Sequence, residues 1–292
     1  MENLGLTEGK RMQGSITNAM TVDVEDYFQV SAFEKIIRRD QWSDWPCRVE
    51  KNTNLVLDLF NAHQTKATFF MLGWVAERYP SLCRRIVSEG HELASHGYSH
   101  VRVIHQTPPE FREDIVRTKK LLEDISGESV RGYRAASYSI GASNLWALKE
   151  LEQTGHEYSS SIYPIKHDLY GMPDAPRFAF RPHAQDGILE VPITTVVLGG
   201  KKLPCGGGGF FRLYPYTFSR WALNRVNEQD KQAGMFYFHP WELDPHQPRP
   251  GPVPLRTRFR HYLNLHRMEQ RLTSLLKDFS WGRMDQIFLQ KG

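Results

Sequence analysis

Three carboxylates close to the start of the chain are the first residues whose types and spacing could do chemistry. Asp23, Glu25 and Asp26 lie in the run TVDVEDYF at residues 21–28, at the end of an apolar stretch. Carboxylates this close repel one another unless a cation holds them together. The pattern therefore predicts a site for a metal ion or a basic side chain, with an acidic turn or a helix N-cap as the alternative.

Two histidines form the second group with chemical potential. His96 and His100 stand four residues apart in the run SHGYSH at residues 95–100. On one face of a helical turn, this spacing lets both imidazoles reach a single ion. With one of the earlier carboxylates they would make a set of two histidines and one acid, which leaves coordination positions open for water and substrate. Such a set is typical of a catalytic metal rather than a structural one.

Both groups follow segments that are predicted to be buried strands. Residues 19–24 are β-branched and apolar, so we expect the acids where that strand leaves the sheet, which is where α/β folds place their chemistry. A second strand at residues 91–95 leads into the histidines in the same way. Further strands are predicted at residues 66–72, 130–135, 157–163 and 235–238, and one or two strands at residues 188–198.

Helices alternate with these strands. The run TPPE at residues 107–110 is a capping box with proline at the first helical position, so we expect a helix from there to about Ile125. Other helices are predicted at residues 54–64, 80–88, 143–153 and 216–229. The alternation predicts an α/β fold with parallel strands and helical connections, as a barrel or an open doubly wound sheet.

The glycine-rich and C-terminal parts have their own patterns. The run Gly206–Gly209 lacks the lysine and hydroxyl residue of a phosphate-binding loop, so it is predicted to be a tight turn. Prolines at alternate positions in residues 248–254 exclude a helix there, and a basic amphipathic helix is predicted from about Arg256 to Phe279.

The chain is predicted to have three parts. A flexible lead-in precedes the main domain. The basic C-terminal extension should pack on that domain, because its apolar face would otherwise stay exposed. These parts are assigned to residues 1–18, 19–246 and 247–292.

Composition and charge limit the classes of partner. The chain has 292 residues and a net charge of +4, so it can bury a large core and is not strongly basic. The run RTRFR at residues 256–260 would suit nucleic acid or a membrane surface. No nucleic-acid motif accompanies it, and a solvated helix face explains it better. We therefore expect no nucleic-acid partner, and only a weak contact of this tail with a membrane surface.

The cysteines and the N-terminus bear on location. Cys47, Cys83 and Cys205 are far apart and odd in number, which argues against a disulfide framework and fits a reducing compartment. The first twenty residues lack an apolar signal-peptide core, and no stretch is long enough to span a bilayer. The sequence therefore predicts a cytoplasmic protein without a transmembrane segment.

Four motifs in a fixed order make the sequence similar to a known family. After the acidic strand end come HGYSH at residues 96–100, RGYRAASY at 131–138 and FYFHPWE at 236–242. This order resembles the polysaccharide deacetylase family with the NodB homology domain, over about residues 19–280. The branch found with exosortase-linked exopolysaccharide clusters is the most similar one. The resemblance implies a distorted (β/α) barrel that hydrolyses the N-acetyl group of an amino sugar in a glycan, using a divalent metal.

The resemblance also implies roles for single residues. Asp23 would be the general base that takes a proton from a metal-bound water, and His239 would be the general acid for the leaving amine. Arg134 would pair with the base and keep it ionised, and a backbone N–H just after it would help to hold the oxyanion. Apart from the resemblance, Tyr138 and Trp241 are candidate substrate contacts because their flat apolar faces could stack on sugar rings, and Ser137 is a third candidate.

The sequence does not decide which acid is the carboxylate ligand of the metal. His96 and His100 match the ligands of the family, whereas a valine separates the acids that the usual motif places side by side. Period-two geometry puts Glu25 on the same side as Asp23 and slightly favours it, but a strand that ends earlier would turn Asp26 inward, so both acids are candidates. Zinc is the expected metal, with cobalt, nickel or iron as alternatives.

Two positions depart from the related sequences. Ala136 stands where they usually have proline, so we expect a less rigid backbone on the oxyanion side. Ser159 replaces an aspartate that would favour the protonated catalytic histidine, so we expect a weaker acid at neutral pH and a gain in rate from Ser159→Asp. A weakly active or inactive carbohydrate-binding or assembly protein, or a cyclic-amide hydrolase, is the alternative function on the same fold.

Overall fold

A twisted sheet of parallel strands forms the centre of the molecule. The computed structural model describes residues 16–167, 171–182 and 187–289, so most of the predicted lead-in lies outside the described residues. The strands are β1 (Thr17–Val24), β2 (Thr68–Met71), β3 (Glu92–Ser95), β4 (Gly132–Tyr133), β5 (Tyr158–Ser159), β6 (Leu189–Glu190), β7 (Thr195–Leu198), β8 (Lys201–Pro204), β9 (Met235–Phe238) and β10 (Ser280–Gly282).

Helices cover the outside of this sheet. They are α1 (Val49–Ala62), α2 (Gly73–Arg78), α3 (Pro80–Ser88), α4 (Pro108–Ser126), α5 (Trp146–Gln153), α6 (Gly208–Leu213), α7 (Tyr216–Glu228), α8 (Leu255–Tyr262), α9 (Met268–Asp278) and α10 (Met284–Phe288). The capping box of α4 is present at Thr107 and Glu110, as predicted, and Gly127 ends that helix with a φ of 72°. None of the helices in the described ranges combines the length and apolar character needed to cross a bilayer.

The order of the strands makes β1 the centre of the site-forming sheet. In the described chain the sheet runs β10-β1-β2-β3-β4-β5-β6, and β9 also pairs with β1. All of these pairings are parallel, so the carboxyl ends of the strands meet at one end of the sheet. β7 and β8 form a separate antiparallel pair. The result is the distorted α/β barrel that was expected.

Alternation along β1 decides which side chains reach the interior of the barrel. Met20, Val22 and Val24 belong to the large apolar cluster that packs under the helices. Thr21 and Asp23 have the opposite parity, so both turn to the other face, towards the side chain of Arg134. A buried acid on β1 therefore faces a barrel interior instead of a helix.

The C-terminal part of the chain enters the same sheet. β10 pairs with the first half of β1, in the register Thr17 with Ser280 and Ala19 with Gly282. The apolar face of α9 is buried in the main cluster. The single helix predicted over residues 256–279 was wrong, because α8 ends at Tyr262 and Asn264 takes a left-handed φ of 53°.

Other predicted boundaries also need correction. α5 begins at Trp146 rather than at Ser143, because the turn before it is closed by Asn144, whose side chain accepts from the amide of Gly141 at 2.8 Å. The tight turn predicted at Gly206–Gly209 is wrong, since α6 begins at Gly208. The cysteines at 47, 83 and 205 are free thiols, which agrees with the absence of a disulfide framework.

Candidate active site

The aspartate at the end of β1 is buried against an arginine from the loop after β4. Arg134 Nη1 donates to Asp23 Oδ1 at 2.5 Å and to Thr21 Oγ1 at 2.9 Å. Tyr138 donates its hydroxyl to Asp23 Oδ2 at 3.3 Å. Asp23 is 2% exposed, and burial alone would raise its pKa, but Arg134 together with the neighbouring His96 and His239 outweighs burial and the pKa is lowered. The carboxylate is therefore ionised at neutral pH.

The arginine is itself held rigidly. Its guanidinium makes two hydrogen bonds to Ser160. Nε donates to the backbone oxygen at 3.2 Å, and Nη2 donates to Oγ at 3.1 Å. It also lies 3.9 Å from the centre of the Phe70 ring. Arg134 is fully buried, so its charge depends on the ion pair with Asp23. The structure thus brings together the two residues that the sequence assigned to a base and its partner.

A cluster of one acid and two histidines lies beside this pair. Glu25, His96 and His100 each offer one ligand atom, all within 4.8 Å of one another, and all three residues are buried. His96 Nδ1 donates to the backbone oxygen of Arg134 at 2.8 Å. That bond leaves Nε2 of His96 without a hydrogen and ready to bind a metal, which is the usual way in which an outer partner orients a ligating histidine.

The contacts of Glu25 fit a metal ion. Its Oε2 lies 3.0 Å from His100 Nε2, yet this buried oxygen has no hydrogen-bond donor among the described residues. Burial raises the pKa of Glu25 to about 7 and lowers the pKa of His100 well below its usual value. Unlike Oε1, which lies beside His239, the Oε2 atom of Glu25 is next to a neutral imidazole and lacks a partner that would stabilise its charge. A divalent cation would supply that charge, so these residues fit the group that the sequence predicts.

Asp26, the second candidate ligand, lies in a different environment. Its carboxylate accepts from the backbone amides of Tyr27 at 2.9 Å, Arg48 at 2.6 Å and Val49 at 2.9 Å. It therefore caps the start of α1. The structure brings Glu25, and not Asp26, to the two histidines.

The histidine after β9 completes the site from the other side. His239 Nε2 lies 3.3 Å from Glu25 Oε1 and 4.0 Å from Asp23 Oδ2. Its Nδ1 lies 2.9 Å from Glu242 Oε1. Burial would lower the pKa of His239, but Glu25 and Glu242 outweigh it and raise the pKa to about 9. The ring is therefore a proton donor at neutral pH.

Ser159 was expected to make His239 a weaker acid at neutral pH, because it replaces an aspartate, but the structure gives His239 another carboxylate partner. Glu242 supplies it, and Arg212 Nε holds that carboxylate at 2.6 Å. Ser159 instead donates to Ser161 Oγ at 2.8 Å. The sequence did contain a signal for Glu242, since it follows the histidine by three residues in the run FYFHPWE, but nothing in the sequence pointed to Arg212.

The turn after Arg134 differs from the expected oxyanion arrangement. The amide of Ala135, directly after the arginine, donates to Ser161 Oγ at 2.9 Å and is not available to substrate. Ser137 and Tyr138 follow with left-handed φ angles of 53° and 51°. Such angles are uncommon outside glycine, so the turn is strained beside the site.

A cleft of about 720 Å³ opens over these groups. Its walls include the three candidate substrate contacts, Ser137, Tyr138 and Trp241. The ring of Trp241 is 5% exposed and stacks on His239 and on His261. It therefore offers little free face to a sugar, although its position in the wall is the predicted one.

Comparison with family models divides the chain in two. Residues 40–159 match the polysaccharide deacetylase model. Residues 160–289 match a domain of unknown function, DUF3473. Asp23 and Glu25 precede the first match, and His239 lies within the second. The candidate site therefore draws residues from beyond the deacetylase match.

Curated relatives share part of the sequence. A peptidoglycan-N-acetylglucosamine deacetylase of Bacillus cereus is 34% identical over 99 residues, which cover 34% of this chain and 36% of the relative. A chitooligosaccharide deacetylase of Bradyrhizobium sp. is 29% identical over 92 residues, which cover 32% of this chain and 42% of the relative. The match thus spans less than half the length of either relative.

Solved structures share the fold over nearly the whole chain. A Mycobacterium smegmatis protein, provisionally named as a polysaccharide deacetylase, has a TM-score of 0.60 at 16% identity and covers 97% of this chain and 91% of its own. A peptidoglycan N-acetylglucosamine deacetylase solved with an N-hydroxybenzamide compound has a TM-score of 0.50 at 16% identity and covers 94% and 89%. Residues 40–159 thus carry the sequence match to the polysaccharide deacetylase family, and the solved structures show the same fold over nearly the whole chain, including the residues that match DUF3473.

Proposed function

We propose that this protein is a metal-dependent deacetylase that hydrolyses the N-acetyl group of an amino sugar and releases acetate. One observation carries the proposal. An ionised aspartate, Asp23, lies beside the ligand-like cluster of Glu25, His96 and His100, and His239 faces both. A base, an acid and a place for a cation are the groups that amide hydrolysis by water needs.

The proposed metal would be held by Glu25, His96 and His100. Bound there, a divalent cation would polarise the acetyl carbonyl and lower the pKa of water. Zinc is proposed, and cobalt, nickel and iron suit the same imidazole and carboxylate ligands.

The residues of the chain would move the protons. Asp23 takes a proton from the attacking water through Oδ2, while Arg134 and Tyr138 hold the carboxylate in place. His239 donates a proton from Nε2 to the nitrogen of the leaving amine as the carbon–nitrogen bond breaks. The products are acetate and a free amino sugar, so water is added across the amide and no other reactant is needed.

The proposed substrate is an N-acetylated amino sugar in an exopolysaccharide or its precursor. The names of the relatives, which include peptidoglycan-N-acetylglucosamine and chitooligosaccharide deacetylases, support this class. The cleft is large enough for a ligand of several rings, and Ser137, Tyr138 and Trp241 are proposed to contact it. The exopolysaccharide itself is proposed from the motif order described above.

A weak contact with an anionic membrane surface is also proposed, through α8. This helix exposes Leu255 by 82% and Phe259 by 59%, with exposed arginines beside them. No acid occurs in the sequence between Asp244 and Glu269. Exposed apolar residues among arginines suit a membrane interface. Phe259→Ser should weaken sedimentation with anionic vesicles, whereas unchanged sedimentation would remove this contact.

The cytoplasmic location remains a proposal. The free thiols of Cys47, Cys83 and Cys205 support it, because cytosolic proteins rarely form stable disulfides. Fractionation of cells that produce the full protein tests it, and recovery outside the cytoplasm would contradict it.

The function is tested by measuring bound metal and acetate release together. The purified protein should bind one divalent ion per chain and release acetate from acetylated chitooligosaccharide or from fragments of acetylated exopolysaccharide. Acetate release should stop with a chelator and return with added zinc. Binding of these glycans without metal and without acetate under any divalent ion would instead show a carbohydrate-binding protein. Hydrolysis confined to small cyclic amides would show the other alternative.

A further inference from the structure

Two buried charged residues, Glu242 and Arg212, lie on the Nδ1 side of His239, the proposed general acid. His239 Nδ1 lies 2.9 Å from Glu242 Oε1, and Arg212 Nε donates to Glu242 Oε2 at 2.6 Å. Glu242 is fully buried and Arg212 is 2% exposed. We propose that Arg212 and Glu242 are positioning residues that orient His239, and that the carbonyl end of α8 sets their geometry. This inference rests on the deacetylase function proposed above, and it assigns a role to part of the domain of unknown function.

The carboxylate of Glu242 fixes which nitrogen of His239 faces the site. Oε1 accepts from Nδ1 and, at 3.1 Å, from the backbone amide of the same histidine. Because a carboxylate can only accept, Nδ1 carries a hydrogen, and Nε2 points to Asp23 and Glu25. A rotated ring would leave the buried carboxylate without this donor, which is costly. Glu242 therefore selects both the orientation and the tautomer of the ring.

The guanidinium of Arg212 joins this carboxylate to the C-terminal region. Besides Glu242, it donates to the backbone oxygens of Arg260 at 3.3 Å, His261 at 3.0 Å and Leu263 at 2.6 Å. A helix leaves its last carbonyls without donors, and these oxygens carry partial negative charge. The oxygens are available because α8 stops before Asn264, whose left-handed backbone breaks the helix. The break between α8 and α9 thus creates the binding site for Arg212.

Gly208, in the glycine run at residues 206–209, leaves the space that the carboxylate of Glu242 occupies. A Cβ at Gly208 would lie 2.6 Å from Glu242 Oε2, and still closer to Oε1. A side chain there would displace the carboxylate. A Cβ at the next residue, Gly209, would meet nothing within 4 Å. The chain therefore offers a matched pair of substitutions, of which only one should disturb Glu242.

The orientation of His239 can be observed without activity. In metal-free, full-length protein with labelled histidine, the Nδ1 hydrogen of His239 should give a strongly deshielded proton signal, because it is bonded to a carboxylate. His239→Gln identifies the signal by removing it. Gly208→Ala and Glu242→Gln should shift or abolish the signal, and Gly209→Ala should retain it. Thermal unfolding and zinc binding confirm that each variant is folded with an intact Glu25, His96 and His100 cluster.

The leaving group provides a second, kinetic readout. Hydrolysis of an N-acetyl sugar needs a proton on the leaving amine, whereas an aryl acetate ester leaves as a stable phenolate and does not. Glu242→Gln and Gly208→Ala should lower kcat for the amide about 10–100-fold, as loss of an orienting partner does, with KM nearly unchanged. Hydrolysis of the ester should stay close to that of the parent protein. A Glu242 with a structural role only would lower both rates together.

Arg212→Lys tests the connection to α8, because one ammonium cannot replace the several donors of a guanidinium. The amide rate should fall less than in Glu242→Gln, and the His239 signal should shift. The proposal is overturned if the signal is the same in Gly208→Ala and Gly209→Ala, or if the amide and ester rates fall equally. If the parent protein hydrolyses neither substrate, the proposed function fails and the proton signal alone decides this inference.

Discussion

Two groups of buried acids lie at opposite ends of the same sheet, and they differ in whether their oxygens have donors. At the amino ends of β2 and β3, Glu92 accepts from the hydroxyls of Tyr158 at 2.9 Å and Thr68 at 2.5 Å and from the amide of Asp285 at 3.2 Å. At the carboxyl ends, Glu25 has an oxygen with no donor among the described residues. Both acids are nearly inaccessible.

The difference separates a structural acid from a functional one. Glu92 is bonded to α10 through Asp285, so its bonds hold the last helix of the described chain against the sheet. The contacts of Glu25 are to imidazoles, which can share a cation with it. Buried polar groups in native proteins are nearly always paired, so an unpaired carboxylate oxygen beside two histidines fits the metal ion that we propose. Burial alone does not distinguish the two acids, whereas the pattern of donors does.

The largest predicted effect is at the carboxyl end. Asp23→Asn should lower kcat for acetate release by about 10²–10⁴-fold, because the neutral amide cannot accept the proton of water. Bound metal should stay at the parent level, since Asp23 is not part of the cluster. Acetate release and metal content are measured on the same samples. A rate within a few-fold of the parent protein would remove Asp23 as the base.

Adding a further buried acid should destabilise the protein rather than activate it. The gain in rate first expected for Ser159→Asp is replaced by the opposite prediction, because Ser159 is buried beside Glu190, whose pKa burial already raises. An unpaired buried charge there should lower the free energy of unfolding by about 3–5 kcal/mol. Chemical denaturation measures it, with Ser159→Ala as the control. A more active Ser159→Asp protein of unchanged stability would restore the first expectation.

The two acids can be compared directly by neutralising each one. Glu92→Gln should lower the free energy of unfolding by about 1–3 kcal/mol, because an amide cannot accept all three of the bonds that the carboxylate accepts. It should leave metal binding intact. Glu25→Gln should abolish metal binding and leave the metal-free protein at least as stable as before. Denaturation of both proteins with and without zinc makes the measurement. Equal losses of stability would erase the distinction between the acids.

The smallest predicted effect is a pH dependence at the amino end. Burial, and then the charge of Asp285, raise the pKa of Glu92 to about 7 from its usual 4.5. The folded state thus binds the proton of Glu92 more tightly than the unfolded state does. The resulting contribution to the stability of the folded protein is present below pH 4.5 and is lost as pH rises through about 7. Arg131 and Arg283 face Asp285 and moderate the effect. The stability difference between the parent protein and Glu92→Gln should change over this range, and a constant difference would contradict the assignment.

Much of the site could be predicted because it follows strand ends. The carboxyl ends of parallel strands meet, so the positions of Asp23, His96 and Arg134 at the ends of three predicted strands place them together. The strand at residues 235–238 matches β9 and delivers His239. The spacing of apolar residues and the residue types at the turns were sufficient to predict these elements.

The rest depends on contacts between distant residues. Glu25 and Asp26 could not be separated by alternation alone, because the outcome depends on the amides of Arg48 and Val49 that receive Asp26. The end of α8 depends on the conformation of Asn264, whose side chain donates to the backbone oxygen of Arg212 at 2.8 Å. No local pattern in the sequence contains these partners.

The central claim is that Glu25, His96 and His100 hold a metal beside Asp23. Anomalous diffraction from crystals grown with zinc tests it most directly. One peak is predicted at about 2.0–2.2 Å from the carboxylate of Glu25 and the two imidazoles, and it should be absent from Glu25→Gln and present in Asp26→Asn. A peak coordinated by Asp26, or no peak near the histidines, would contradict the claim.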